Sequence, residues 1–581
     1  MKLAPSRTAS RLRSASGFAL LVVVGFSAIS LLALAGVIAW SSGNSKQIER
    51  NNLYFTSVSA AEAATEKVLT RIAQDFQQDG ESLVFANIAN YRQLVPSTSE
   101  SPFWSGWEFQ NGAGTSGRTL VERQFANVFT NLESQYTGLR GMASGYRVIA
   151  NARQTNGSYN FFGAVGQEVQ VANIPVFQFA IFYNLDMEIM NGPDMTVNGR
   201  VHSNRGLFTD PSGTLTFNTH VTAVGDIRDA KAPGDGRALQ SGAIVYNGEV
   251  DSRTMALTMP IGTNNTPEAV RAILQTPPGT EASSSLMGKQ RFYNKSDLII
   301  TVNTNGVSIG TGLPATVPLT LSSNEVNFLA TTNGSFWDER EGKTIRPLNL
   351  DVGNLRTFSA SNTLLRVSLG NRDVRSVYVR DLRPLNSANL AAVRVRNGQT
   401  LPDLGLTVST ERPIYVQGHY NQPTSGHLGT TNTSNTKPAA LLGDSVNILS
   451  TSWSDSNSTN YSARNAGNTT VNAAFLAGIV ESKTFGNYSG GVENFPRFLE
   501  NWSGDTLTYN GSMVVMFPSQ YATNRWGKGS VYSPPTRNWA FDLNFMDSTK
   551  LPPGTPELRT LIRGKWQIIA PGQTNMVTMV N

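Results

Sequence analysis

The chain contains no cysteine. That absence excludes thiol nucleophiles, disulfide frameworks and cysteine-type zinc sites. Histidine is scarce: His202, His220, His419 and His427 are the four among 581 residues. No two of them have the three- or four-residue helical spacing of a typical metal motif, so no metal centre is expected. Charge is sparse, at 15% of residues, and no run of five or more basic residues occurs. The formal net charge is +6, and Lys2, Arg7, Arg11 and Arg13 supply four of it. The remainder is close to neutral, so no nucleic-acid partner is expected. No G-x-x-x-x-G-K-[ST] loop is present, and "GLRGMASG" (138–145) has glycines without a phosphate-cradle context. No serine elbow or EF-hand loop occurs either. No cofactor and no catalytic residue is predicted.

What is present begins at the N-terminus. A basic leader, residues 1–17, precedes "FALLVVVGFSAISLLALAGVIAW", Phe18 to Trp40, which carries no charge. As a helix these residues extend roughly 34 Å, enough to cross a bilayer. The run exceeds the apolar core of an ordinary secretory signal. The positive leader predicts a cytoplasmic N-terminus, with the rest on the other side. Beyond it, Ala61, Ala64, Val68, Ile72 and Phe76 recur at spacings of three and four. That stripe predicts an amphipathic helix continuing the apolar one, past a kink at 41–44.

The basic leader ending in Gly17, then Phe18 and "ALLVVV", resembles the N-terminus of type IV pilin-like proteins. The following "QIERNNLYFTSVSAAEAA", with Glu49, Ala60, Ala61, Glu62, Ala63 and Ala64, is similar to minor pilins with a PilX-type N-terminal domain. The resemblance covers roughly residues 14–79. It implies cleavage by a prepilin peptidase between Gly17 and Phe18. It also implies an inner-membrane single pass with access to a surface filament, and partnership with other pilin-like subunits and a pilus or type II secretion assembly machinery. Major pilins carry a glutamate at the fifth mature position; here that position is Val22. The departure points to a minor or assembly-associated subunit. Helix–helix assembly through small residues, Gly25, Ala28 and Gly36, with Ala19 and Ser27, is then expected.

The remainder reads as strands and turns. Asn-Gly, a tight-turn signal, recurs at Asn111, Asn156, Asn191, Asn198, Asn247, Asn305, Asn333, Asn397 and Asn510. Between the turns lie β-branched and aromatic runs such as "DLIITVNTNGVSI". "DMTVNGRVHSN", with Thr196, Asn198, Arg200 and His202 on one face, reads as a β-helix rung, though no fixed repeat period is evident. Phe125, Val128, Phe129, Leu132, Tyr136 and Leu139 predict a helix over 120–139, and Thr266 before Pro267 predicts a short helix.

The fold class expected is α+β, mostly β. A long pilin-like transmembrane and amphipathic helix leads into a large β-rich body, a solenoid or an irregular sandwich, with a few helices. The division is 1–17 leader, 18–79 helix, 80–175 mixed helical and linker region, 176–420 β-rich body, 421–437 exposed loop, and 438–581 C-terminal α/β region packed on the body. Blocks of that last region, among them "ERPIYVQGHYN" and "VNAAFLAGIVES", also resemble the tail of large pilus-associated bacterial proteins.

Glu493, Glu500 and Asp505 in "GGVENFPRFLENWSGDT" present a carboxylate pattern for a glycosidase, the first two on one helix face. The simpler reading is a buried stripe of Phe495, Phe498, Leu499 and Trp502 with solvated acids beside it. "SFWDEREGK" (335–343) reads as an exposed, salt-bridged turn. The leading expectation is thus a non-enzymatic minor pilin-like or pilus assembly-associated protein. The two alternatives are an uncleaved membrane-anchored surface binding protein, that is, an adhesin that could bind glycans, and an anchored β-helix polysaccharide-degrading enzyme.

Overall fold

The computed structural model describes residues 16–312, 319–484, 486–527 and 529–576. The basic residues of the leader lie outside them. One helix of 64 residues runs from Ser16 to Asp79 without interruption at 41–44. It ends at Gly80, whose positive φ of 75° closes the last turn as Gly80 N–H donates to Phe76 O at 2.9 Å.

The second half of this helix lies on an antiparallel five-stranded sheet. Its strands are Trp107–Gln110, Leu120–Asn131, Arg140–Gln154, Gly163–Pro175 and Glu557–Ile568. The expected stripe is the buried face: Ala61, Ala64, Val68 and Ile72 are fully buried and Phe76 nearly so. Each large member removed from water contributes roughly 1.5–3 kcal/mol. Close approach needs a glycine at one point. A Cβ on Gly163 would stand 2.3 Å from Val58 N.

The predicted helix over 120–139 is not formed. Leu120–Asn131 is instead a bulged strand paired with Arg140–Gln154. The apolar spacing of that segment fits a helix by count. However, its β-branched and aromatic residues meet a ready partner strand, where Gly145 leaves room for the Phe125 ring. Leu132, Tyr136 and Leu139 belong to the turn that follows and are buried there.

From Ile181 the chain winds as a solenoid of parallel strands. Ile181–Tyr183, Val201–Ser203 and Val221–Ala223 stack at intervals of 20 residues, and Val250–Asp251 adds a shorter fourth layer. The step then lengthens to 29 residues, from Val221 to Val250, and to 32 or more in several later turns, such as Ile414 to Val446. Variable corners therefore hide the repeat from the sequence. Thr196 and His202 fall on different sheets of one turn, Met195–Val197 and Val201–Ser203, with a corner at 198–200.

The order of turns is permuted. After Asp251 the chain crosses the outer face of the solenoid through the short helices Pro267–Arg271, Leu286–Gln290 and Phe292–Lys295. Thr266 caps the first, as expected, its side chain accepting from Ala269 N. The chain restarts at the far end with Leu298–Asn303. It winds back through Ser376–Asp381, Leu406–Thr410, Ala439–Gly443, Ala474–Ile479 and Met513–Pro518. That last strand pairs in parallel with Ile181–Tyr183, so two coils make one continuous sheet.

The apolar core fills the inside, from Ile181 and Val201 through Val408 and Phe475 to Val515. A second core lies outside, where Phe182, Leu442 and Val514 are covered by Val270, Ile273 and Phe292 of the crossover. The 438–581 region divides between solenoid turns and the strand Glu557–Ile568, which returns to the first sheet against Gly163–Pro175. Within 421–437, Asn421 ties the loop base by accepting from Lys437 N at 2.9 Å.

Candidate functional site

The most exposed apolar feature is the first half of the N-terminal helix. Phe18 is 74% exposed, and Leu20, Leu31 and Trp40 are similarly bare. Gly25 and Gly36 have nothing within 4 Å of a built Cβ, and Ala28 is exposed. Val22 stands on the same bare helix. The five-stranded sheet and its loops form the head, which reaches up the helix as far as Glu49, whose Oε1 accepts from Ser158 Oγ at 2.7 Å. This is the one helix among the described residues that is long and apolar enough to cross a membrane. Apolar patches above roughly 300–600 Å² are rare on soluble monomers, so a band bare on all sides calls for lipid or other apolar helices around it.

The carboxylates of the 490–505 segment do not form a glycosidase pair. Val492–Asn494 is a single tight turn and Pro496–Phe498 a strand, so no helix face joins Glu493 to Glu500. Both acids are buried rather than solvated, which corrects the reading of acids beside an apolar stripe. Glu493 engages the Tyr488 hydroxyl and accepts from Met190 N at 3.3 Å. Glu500 accepts from Ser450 N at 2.6 Å and Ser450 Oγ at 2.7 Å. Burial pushes its carboxyl up to about 7. Asp505 is half-buried. None of the three lines a described cleft. The neighbouring Phe495, Phe498, Leu499 and Trp502 are buried as expected.

The 335–343 charge cluster is also interior. Asp338 accepts from Tyr415 Oη at 2.6 Å, and Glu341 accepts from Arg497 Nη1 at 2.7 Å. Lys343–Asp351, in a hairpin with Phe336–Asp338, is itself a solenoid strand parallel to Asn389–Arg396, and the buried Arg497 there requires an anion.

The histidines are dispersed. His202 is fully buried, stacked on Phe182 and held by Thr222 and Asn204. Burial lowers its pKa to about 4, so it is neutral at ordinary pH. His419 Nδ1 accepts from Thr470 N, and His427 sits in the 421–437 loop. No group of three or more His, Asp or Glu side chains suited to a metal occurs among the described residues. A cleft between the two coils, unforeseen from the sequence, gathers Gln178, Arg200 and His220. These three come from successive turns of the first coil, and the facing Phe541, Leu543 and Met546 from a part of the chain more than 300 residues away.

No protein-family model matches the chain, and no curated protein matches it. Among solved structures it is similar to the competence-associated pilin ComZ from Thermus thermophilus, at 10% identity over 89% of this chain and 98% of that one. The TM-score is 0.26, too low for the likeness to bear on the fold or role of this chain.

Proposed function

We propose that this chain is a minor pilin-like, pilus assembly-associated subunit with a structural role. The observation that carries the reading is the division of one uninterrupted helix. Residues 18–40 are bare and apolar, whereas 58–76 are packed into a head sheet. Such a helix holds the head and solenoid outside the membrane while its free half lies in lipid or against like helices. Transfer between those two settings is nearly neutral for apolar side chains, so selectivity falls to shape at Gly25, Ala28 and Gly36. A valine at position 22 brings no carboxylate to neutralise a neighbouring N-terminal amine, which fits a subunit used sparingly rather than in bulk. The implied partners are a prepilin peptidase, other pilin-like subunits, the assembly machinery and the inner membrane.

The test is the mature N-terminus. Mass spectrometry of the protein from its native membrane or filament fraction is expected to begin at Phe18. Gly17→Leu is expected to leave the longer, unprocessed chain. Equal masses for the two would overturn the processing, and a retained Met1 would favour an uncleaved surface anchor.

A further inference from the structure

A cleft of about 480 Å³ lies at the seam where the final turn of the second coil meets the opening turn of the first. Its volume falls within the usual range for small-molecule sites. Three polar groups line it, two of them with an unmatched buried atom. Gln178 is 1% exposed. Its Oε1 accepts from Arg140 N at 2.8 Å, while its buried Nε2 has no hydrogen-bond partner among the described residues. Thr219 Oγ1 is likewise buried and unpartnered. A buried polar group left without a partner is destabilising. Both residues line the cleft.

The third group is Arg200, itself 7% exposed. Its guanidinium donates to Gln135 O at 2.7 Å and Thr137 O at 2.6 Å and contacts His220. It forms no ion pair among the described residues; Glu249 pairs instead with His220 Nε2 at 3.4 Å. The Glu249 and Asp251 charges act on Arg200 only from a distance, so this buried cation has no direct carboxylate partner among the described residues and is poised for an anion. The facing wall is apolar, built of Phe541, Leu543 and Met546, and Leu543 is 72% exposed at the rim. The rim itself is held by an asparagine ladder, Asn218 to Asn198 at 2.6 Å and Asn247 to Asn218 at 2.7 Å.

We propose that this cleft binds a carboxylate-bearing saccharide residue. The carboxylate sits toward Arg200, the hydroxyl oxygens take the donors of Gln178 and Thr219, and the apolar ring face lies on Phe541 and Leu543. A peptide fits less well, because its N–H groups need acceptors and the unmatched groups are chiefly donors. The proposal stands whether or not the N-terminus is processed.

The test is titration of the full-length protein in detergent with D-glucuronate, D-glucose and N-acetylglycine, followed by calorimetry and saturation-transfer NMR. Glucuronate is expected to bind at least about tenfold more tightly than the other two. Leu543→Asp, at an exposed position, and Thr219→Val are each expected to weaken it by about tenfold without lowering the thermal melt. No glucuronate binding at about 10 mM would overturn the site. Binding that survives both substitutions would place any affinity elsewhere and also overturn it. Equal binding of glucose would refute the role of Arg200, and equal binding of N-acetylglycine would refute the saccharide.

Discussion

Arg563, on the last strand, clasps Glu66 of the N-terminal helix with both guanidinium nitrogens, Nη2 to Oε2 at 2.7 Å, across 497 residues of chain. The pair marks the place where the end of the chain completes the sheet that its beginning rests on. Both partners are well exposed, at 51% and 38%. An exposed pair contributes little, so Arg563→Ala is expected to lower stability by about 0.5 kcal/mol. Leu561, two residues earlier and packed against the helix core, is different. Leu561→Ala is expected to lose about 3 kcal/mol. Denaturant titration of the detergent-solubilised protein measures both, and the reverse ranking would refute this account.

Inside the solenoid the balance changes. Glu341 and Arg497 have side chains 1% and 4% exposed and meet at 2.7 Å. Removing one partner strands a charge in a poorly solvated place. Glu341→Ala is therefore expected to destabilise by about 3–5 kcal/mol. Adding Arg497→Met should restore much of that loss in the same titration. A single variant as stable as wild type would show that the pair is solvated in solution.

Burial sets a pH dependence. The carboxyls of Glu500 and Glu188 are both pushed up to about 7 by desolvation, against about 4.3 in an unfolded chain. Between those values the folded state keeps protons that the unfolded state releases. Their contribution is thus complete below about pH 4 and is lost as pH rises through about 7. Melting temperature should rise when pH falls from about 8 to about 5.5, by the equivalent of about 2 kcal/mol per group. Glu500→Gln mimics the protonated acid toward Ser450 and should flatten part of that slope. An unchanged slope would mean that Glu500 titrates normally.

Gly163 tests the approach of helix and sheet. A methyl there would lie 2.3 Å from Val58 N and 2.5 Å from Ser57 C. Backbone cannot yield as a flexible side chain does, so Gly163→Ala is expected to cost about 2 kcal/mol. Gly25→Ala adds a methyl to open space and should leave the head unaffected. Comparable losses at the two glycines would contradict the packing described.

The sequence by itself determined what depends on near neighbours along the chain. The apolar run 18–40, the stripe ending at Phe76 and the cap at Thr266 are each written within a few turns of helix. They appear in the structure as the residues predict. Strand content was legible for the same reason, because Asn-Gly turns and β-branched runs are local signals. The segment 120–139 shows the limit. Its spacing satisfied a helix, and the partner strand at 140–154 decided for a sheet.

Tertiary structure alone decided the rest. No local pattern states that Met513 lies beside Ile181, or that Glu557–Ile568 returns to Gly163–Pro175. Those pairings follow from burying apolar faces that carry no address in the sequence. The charges at Asp338, Glu341, Glu493 and Glu500 look solvated as letters, since acids usually are. Their burial depends on partners 50 or more residues away, as for Glu500 with Ser450 and Glu341 with Arg497, or on nearby groups that the fold turns inward, as for Glu493 with Tyr488. The cleft at Gln178 and Arg200 has the same origin: its walls come from two coils that meet only because the chain restarts at the far end and winds back.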